Sequence, residues 1–325
     1  MQANIIEQEL IASYLVSKPD ALLQQVETCI LGLLQSVPNV QLLDRLVIST
    51  ADSSDIRNAA IYHLQSGGQR LRARMALSAG QEIGLSDQDC IYIAASVELL
   101  HNASLIHDDV QDGDKYRRGQ ESVWNKFSID LAICSGDFYL SAAYGVLCNI
   151  SKPSLLPRIL QLMHGRVSEA IIGQSAELSI SANQFMLETY IQVAMAKSGA
   201  LLSLPLELTL LIGGHEEMLA TAQQACKDFA VGFQIYDDLR DFSVDCAQLN
   251  QSLEEDRFNI VGMFNYLNSV SKTCVDSIAA SQTLAVKHLR LAQTSLAVLP
   301  QQSGKLLAEC AQNIERLLDD LLIKN

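Results

Sequence analysis

The same acidic pattern occurs twice in this chain, far apart. Asp108-Asp109-Val110-Gln111-Asp112 is the first copy, and Asp237-Asp238-Leu239-Arg240-Asp241 is the second. On a helix, residues three and four apart share a face. Asp108 and Asp109 therefore each share a stripe with Asp112, and the second copy repeats the geometry. Three carboxylates this close repel one another. At an effective dielectric of about 20 and a separation of about 5 Å, each pair costs roughly 3 kcal/mol. A fold keeps such a cluster when positive charge sits on it. Hard divalent cations are the natural candidates, because magnesium usually bridges carboxylates to substrate phosphates. A solvated acidic helix face is the alternative. Two copies, both embedded in apolar sequence, favour the metal.

The elements that position these carboxylates are helical. Ile91, Ala94, Ala95, Val97, Leu99 and Leu100 precede the first motif, and Phe229, Val231, Phe233 and Ile235 precede the second. A helix that is apolar almost all round is buried. Buried helices ending in carboxylate triads suggest a deep apolar cavity with a charged mouth. Two such helices facing each other would hold metals, with a diphosphate on the metals and a hydrocarbon tail below.

The rest of the chain has the same texture. Only six prolines occur. Pro19 and Pro38 bracket a helix holding Leu22, Leu23, Val26, Ile30 and Leu33 at three-four spacing. Pro153 and Pro157 mark a loop after a helix over 139–150, and Pro300 precedes a last helix over 305–323. Pro205 lies in a helical apolar run and predicts a kink or break there. Gly67-Gly68 and Gly213-Gly214 mark helix ends or loops. No alternating strand pattern of useful length and no Gly-rich phosphate loop is present. The expected architecture is all-α, one domain over 1–325, with about ten or more helices at ordinary helix lengths.

Composition narrows the function classes. A hydrophobic content of 49% provides for a large core, and a net charge of −14 argues against nucleic acid or an anionic membrane surface as partner. The eight cysteines form no CxxC pair and mostly lie in apolar helical pattern, so they read as buried hydrophobes in a reducing compartment. Residues 1–10 lack a basic stretch followed by an apolar run, and no uninterrupted apolar run reaches about 18 residues. A soluble cytoplasmic protein without a transmembrane segment is the expectation.

The neighbours of the motifs carry a more specific signal. His101-Asn102-Ala103-Ser104-Leu105-Ile106-His107-Asp108-Asp109, then Asp112 and Arg117-Arg118-Gly119, resembles the first aspartate-rich region of trans-isoprenyl diphosphate synthases. Gly67-Gly68-Gln69-Arg70-Leu71-Arg72 resembles their GGKRLRP segment, and Gly136-Asp137-Phe138 their GDxL/F helix. Gly173-Gln174, Lys197-Ser198-Gly199 and Gly232-Phe233-Gln234-Ile235-Tyr236-Asp237-Asp238 follow in the family's order.

The resemblance implies a single-domain helical bundle of the class I isoprenoid synthase type with a deep central cavity. It also implies head-to-tail condensation: an allylic diphosphate (farnesyl or similar) ionises, isopentenyl diphosphate attacks the carbocation, and a proton is lost. By resemblance, Asp108, Asp109, Asp112, Asp237, Asp238 and Asp241 would hold about three magnesium ions, with manganese as a substitute, stabilising charge on the departing diphosphate. Arg117 and Lys197 would contact the allylic diphosphate, with Gln174, Ser198 and Gln234 nearby. Arg72, His101 and Arg118 would hold isopentenyl diphosphate. A homodimer is the family's usual assembly.

The pattern departs from the family on both flanks. Its GGK lysine is Gln69 here, and a neutral amide binds a diphosphate more weakly than a charged donor. The following proline is Ala73. No lysine occurs between Lys227 and Lys272, and Asp256-Arg257-Phe258 offers Arg257 at the expected lysine position. Two other functions therefore stand beside the main one. A class I terpene synthase would cyclise a prenyl diphosphate alone, but Asp241 and Asp245 stand where its second motif has Ser/Thr and Glu. A non-catalytic subunit of a heteromeric prenyltransferase would have lost the lysines, but would have no need of two aspartate triads.

Product length is read from the family's floor positions, four and five residues before the first aspartate. Here they are Ser104 and Ala103. Both are small and about one helical turn away, so a trans-polyprenyl product of roughly twenty carbons or more is expected. Leu100 and Val97 lie further down, with Tyr139 or Tyr144 of the neighbouring helix as further floor candidates.

Overall fold

A computed structural model describes residues 21–35, 56–180, 186–247, 260 and 274–323; the side chains of 241–247, 274–276 and 321–323 are outside the description. The described residues form twelve α-helices and a single two-stranded hairpin, as the helical texture of the sequence predicts. They fall into two contact units, residues 1–160 and 161–325.

The first unit holds α1 (Ala21–Gln35), α2 (Ile56–Gln65), α3 (Leu71–Ile83), α4 (Asp87–Asp112), α5 (Val123–Lys126) and α6 (Ile129–Val146). Its hairpin is β1 (Tyr116–Arg117) and β2 (Gln120–Glu121), with Tyr116 paired to Glu121 and Arg117 to Gln120. The axis of the unit is α4, against which α1, α3 and α6 pack. Local sequence sets both its ends. Ser86 accepts a hydrogen bond from the Asp89 N–H, and Asp87 and Asp89 lie in the first turn, where the helix dipole favours negative charge. Gly113 closes the other end in the left-handed conformation at φ 71°. From Cys90 to Ala103 nearly every residue of α4 is buried, matching its near-continuous apolar pattern.

The second unit holds α7 (Leu156–Ser179, beginning just before the unit boundary), α8 (Leu187–Ala194), α9 (Ala200–Gly213), α10 (Leu219–Ala247), α11 (Cys274–Ala297) and α12 (Lys305–Ile323). Here α10 packs on α9 and α11, and α12 on α11. A π-helical turn, Met195–Gly199, joins α8 to α9. Ile129–Asn149 and Leu187–Gly213 are long and apolar enough to cross a membrane, but 78% of the apolar window in Leu187–Gly213 is buried inside the protein.

Two expectations shift. The chain does not break at Pro205, because α9 runs through it from Ala200 to Gly213 and the irregular turn lies upstream at Met195–Gly199. Every residue from Ala200 to Ile212 is buried, and packing on that scale outweighs the one hydrogen bond the proline forfeits. The helix of the second motif does not end in its carboxylates either: α10 continues past Asp241 to Ala247.

Candidate active site

The first acidic motif fills the last turn of α4. That end of a helix carries the negative pole of the dipole, so its placement adds to the mutual repulsion of the carboxylates. Part of the required positive charge comes from the chain itself. Arg117 donates from Nε to Asp109 Oδ1 at 2.7 Å and again from Nη2, and its Nη2 lies 3.5 Å from Asp114. Burial alone would lower the Arg117 pKa, but Asp109, Asp114 and Asp108 outweigh it and hold the guanidinium above its ordinary value. Asp109 is 1% exposed, and burial pushes its carboxyl above the usual range despite Arg117. Both Arg117 bonds go to one oxygen. The other, Oδ2, is buried with no hydrogen-bond partner. Asp108 is half-buried and Asp112 exposed.

The two adjacent arginines are sent to different targets by the hairpin. Arg117 ends β1 and reaches Asp109. Arg118 and Gly119 form the two-residue turn, with φ of 52° and 82°. Positive φ at both central positions is what a tight primed turn needs, and it is uncommon for a non-glycine residue such as Arg118. The turn carries the Arg118 side chain across the backbone of Gly67 and Gly68, where Nη1 donates to the Gly67 carbonyl. Tyr62 secures the hairpin by donating its hydroxyl to the Glu121 carbonyl at 2.9 Å.

Around that crossing a cationic cluster forms. Burial, Arg72 and Arg118 together hold the His101 imidazole far below its ordinary pKa, with His63 and Arg70 adding to the effect. His63 is buried, held to about 3 by burial and by Arg118, and lies 3.1 Å from Asn102 Oδ1. The structure thus brings Arg72, His101 and Arg118 into one electrostatic neighbourhood in the first unit. Gln69 is half-buried in the same turn, and its carbonyl accepts from Arg74 Nε at 3.0 Å.

Arg70 is a residue whose role the sequence reading missed. It precedes α3 in the left-handed conformation (φ 55°) and is 6% exposed. It donates to the Leu64 and Gly67 carbonyls at 3.2 Å and to Glu98 at 3.4 Å. Glu98 was the available signal: a lone carboxylate inside the apolar run of α4 requires a buried cation.

Glycines explain how closely the elements approach. A side chain on Gly136 of α6 would overlap the His107 imidazole, so that glycine seats the ring beside the motif, with Nε2 3.6 Å from Asp137. A Cβ on Gly173 of α7 would lie 2.5 Å from the Lys197 N atom, and one on Gly199 2.9 Å from the Lys227 Cα. The π turn carrying Lys197 and Ser198 is therefore packed tightly from two sides. Such turns are often found at functional sites. Lys197 Nζ pairs with Glu177 at 2.6 Å.

The second motif resembles the first in sequence but not in surroundings. Asp237 is partly exposed and accepts from Arg240 at 3.0 Å. Asp238 is buried and accepts three hydrogen bonds, from the Tyr190 hydroxyl (2.9 Å), Gln234 Nε2 (3.0 Å) and the Ile260 N–H (2.9 Å). Burial still pushes its carboxyl up to about 7. The Asp241 side chain and Arg257 lie outside the described residues, and Gln174 is half-buried on α7.

The residues present fit divalent metal. In the first unit Asp109 Oδ2 is buried with no hydrogen-bond partner, an acceptor that a cation would satisfy, and Asp112 beside it is exposed. Among the described residues no three ligating side chains come together as a metal site. Magnesium usually takes one or two carboxylates and leaves its other positions to water and phosphate.

On the family's floor, Leu100 and Ala103 are buried at 3% and 4% exposure, and the Ser104 hydroxyl turns back to the His101 carbonyl at 2.8 Å. Tyr139 is committed to the core: its hydroxyl donates to the Ala60 carbonyl at 2.8 Å and its ring meets His63 edge-on. A separate groove of about 670 Å³ between α11 and α12 contains none of these residues.

Comparison with known proteins decides the family. A family model described as polyprenyl synthetase matches residues 53–289. The chain belongs to the polyprenyl synthetase family. It is 28% identical over 200 residues to a geranylgeranyl pyrophosphate synthase of Geoglobus acetivorans, covering 61% of this chain and 63% of that protein, so the match spans just under two thirds of the relative's length. It is 31% identical over 213 residues to a farnesyl diphosphate synthase of Haemophilus influenzae, covering 63% of this chain and 72% of that one. A solved structure of polyprenyl synthase from Caulobacter crescentus CB15, complexed with calcium and isoprenyl diphosphate, has the same fold. Its TM-score is 0.70 at 20% identity, covering 95% of this chain and 98% of that one. The fold is therefore the all-α class I isoprenoid synthase type.

Proposed function

We propose that this protein is a prenyltransferase that condenses isopentenyl diphosphate head-to-tail with an allylic diphosphate, farnesyl or similar, to give a trans-polyprenyl diphosphate of roughly twenty carbons or more. The observation that carries this reading is the division of labour at the Arg117-Arg118 hairpin. One arginine serves an acidic motif and the other a cationic cluster, so a metal-dependent diphosphate site and a metal-free diphosphate site have their charges in one unit. A cyclase acting on one diphosphate has no use for the second cluster.

In this reading Asp108, Asp109 and Asp112 of the first motif hold magnesium, as do Asp237 and Asp241 of the second; Asp238, expected from the resemblance to be a ligand as well, is set aside because both its oxygens accept from Tyr190, Gln234 and the Ile260 N–H. Magnesium, when bound, would act as a Lewis acid toward the departing diphosphate and orient it. The chain's own residues do the rest. Asp109 holds Arg117 in place, and Arg117 and Lys197 supply preorganised positive charge toward the allylic diphosphate. Arg72, Arg118 and His101 bind isopentenyl diphosphate, and the small side chains of Ala103 and Ser104 leave space for a lengthening tail. The departure at Gln69 replaces a cation expected on isopentenyl diphosphate with a neutral amide, and so lowers the affinity for that substrate. The protein is proposed to work as a single catalytic domain, in a homodimer, in the cytoplasm.

Incubation with magnesium, labelled isopentenyl diphosphate and allylic primers of several lengths tests this. Elongated products are expected. A hydrocarbon made from an allylic diphosphate alone would indicate a cyclase, and turnover only with an added protein would indicate a subunit.

A further inference from the structure

We infer that Tyr190 is a positioning residue of the second acidic motif, acting through Asp238 to set the orientation of Asp237. The inference rests on the metal-binding part of the reading above. Tyr190 lies in α8, is 0% exposed, and donates its hydroxyl to Asp238 Oδ2 at 2.9 Å. A buried phenol of this size needs a partner, and here the partner is a carboxylate of the motif. Asp238 is 7% exposed, and the Gln234 amide and the Ile260 N–H complete its set of donors.

The two motifs thus solve the same problem differently. In the first, the middle carboxylate is held by Arg117 and keeps one oxygen open. In the second, both oxygens of Asp238 accept from protein donors, and two of these, the Tyr190 hydroxyl of α8 and the Ile260 N–H, come from outside α10. Asp237 is the next residue on α10, and its carboxylate is the accessible one. Fixing Asp238 to α8 fixes the rotation of that turn of α10, and so the direction in which Asp237 projects. Outer-shell partners of this kind orient metal ligands, and losing one typically weakens metal binding about 10- to 100-fold.

The test is Mn²⁺ binding, followed by electron paramagnetic resonance with inorganic pyrophosphate present, on the full chain and on Tyr190→Phe, Asp238→Asn and the double variant. Phenylalanine keeps the ring, and asparagine keeps the shape and an acceptor. Unfolding midpoints recorded alongside establish that each variant is folded. Tyr190→Phe should weaken Mn²⁺ binding at least fivefold, and the double variant should bind no more weakly than Asp238→Asn, because the hydroxyl acts only through that carboxylate. Unchanged affinity in Tyr190→Phe overturns the inference. So do losses that multiply fully in the double variant, and so does a parent protein that binds no Mn²⁺. A parent that binds Mn²⁺ yet elongates no primer overturns the proposed function and leaves this inference standing.

Discussion

The Arg118 guanidinium lies across Gly68 so closely that a Cβ there would sit 2.6 Å from its Cζ. Gly68 also has φ of 125°, where side-chain-bearing residues are strained. The backbone therefore requires glycine at this position, and a side chain there would also push the Arg118 guanidinium aside. Gly68→Ala should destabilise the fold by about 1–3 kcal/mol and displace Arg118. The KM for isopentenyl diphosphate should rise on the order of tenfold, equivalent to about 1.4 kcal/mol of binding, with a smaller effect on the allylic primer. Steady-state kinetics in both substrates check this; an equal rise in both KM values would place Arg118 elsewhere.

The partly exposed Arg117 and the buried Asp109 form an ion pair whose halves should not be removable separately. Arg117→Ala leaves the buried Asp109 carboxylate uncompensated; because Arg117 is partly exposed, the cost should fall below the about 3–5 kcal/mol typical of a fully buried pair. Adding Asp109→Asn to Arg117→Ala should recover much of that stability, because the stranded charge is gone. Urea unfolding of the two singles and the double variant measures the coupling. Activity should recover in neither case, since both groups belong to the proposed site.

These relationships show what the sequence could and could not convey. Helix positions, the acidic motifs and the cations near them are written in periodicity and residue type, and the family's order of segments ties them together. Direction is not written there. Arg117 and Arg118 are identical neighbours in sequence, and only the positive φ at Arg118 and Gly119 sends them to different partners. Asp109 and Asp238 hold the same place in the same motif, yet one keeps an open oxygen and the other accepts three hydrogen bonds. The break allowed for at Pro205 does not occur, because local propensity carries no account of the burial that surrounds the residue. Arg70 was overlooked because its partner, Glu98, is 28 residues away.

His63 should make stability fall in acid. Burial and Arg118 hold its folded pKa to about 3, against an ordinary value near 6.5. Above pH 6.5 neither the folded nor the unfolded state binds the proton, so the group has no effect. As pH drops below 6.5 the unfolded chain takes up a proton that the folded state refuses, and stability declines by up to about 1.4 kcal/mol per pH unit until roughly pH 3. His101 acts in the same direction. His63→Gln retains a donor for Asn102 and removes one titration, so the slope of unfolding free energy between pH 6 and 4 should flatten. A slope equal to that of the parent would show that His63 titrates normally.

Ser104 satisfies its own hydroxyl on the His101 carbonyl, so it makes no polar demand on whatever lies beside it. Its volume is then its contribution to product length. Ser104→Phe should shorten the longest product, with the fold and the KM for isopentenyl diphosphate changed little, because an aromatic ring about one helical turn below the motif takes up space the growing tail would fill. Chromatography of products made from geranyl and farnesyl primers decides it. A parent enzyme that already stops at fifteen carbons would remove the small-floor reading altogether.

Gln69 offers the most direct handle on the second diphosphate. It lies between Gly68, which Arg118 crosses, and Arg70, which is buried against Glu98. A lysine there would add positive charge to a neighbourhood that already holds Arg72, Arg118 and Arg70 around a neutral His101. Without ligand, the arginines outnumber the Glu27 and Glu98 carboxylates that pair with Arg70, so Gln69→Lys should lower apo stability by about 0.5–1 kcal/mol, more at low salt than at high. With isopentenyl diphosphate present the sign reverses, because a charge-assisted donor replaces a neutral amide. The variant should show a KM for isopentenyl diphosphate several-fold lower and a larger rise in unfolding temperature when that substrate is added, with the allylic KM unchanged. Thermal unfolding with and without isopentenyl diphosphate measures the reversal directly, independently of turnover. If the substrate stabilises parent and variant equally, residue 69 does not face the second diphosphate.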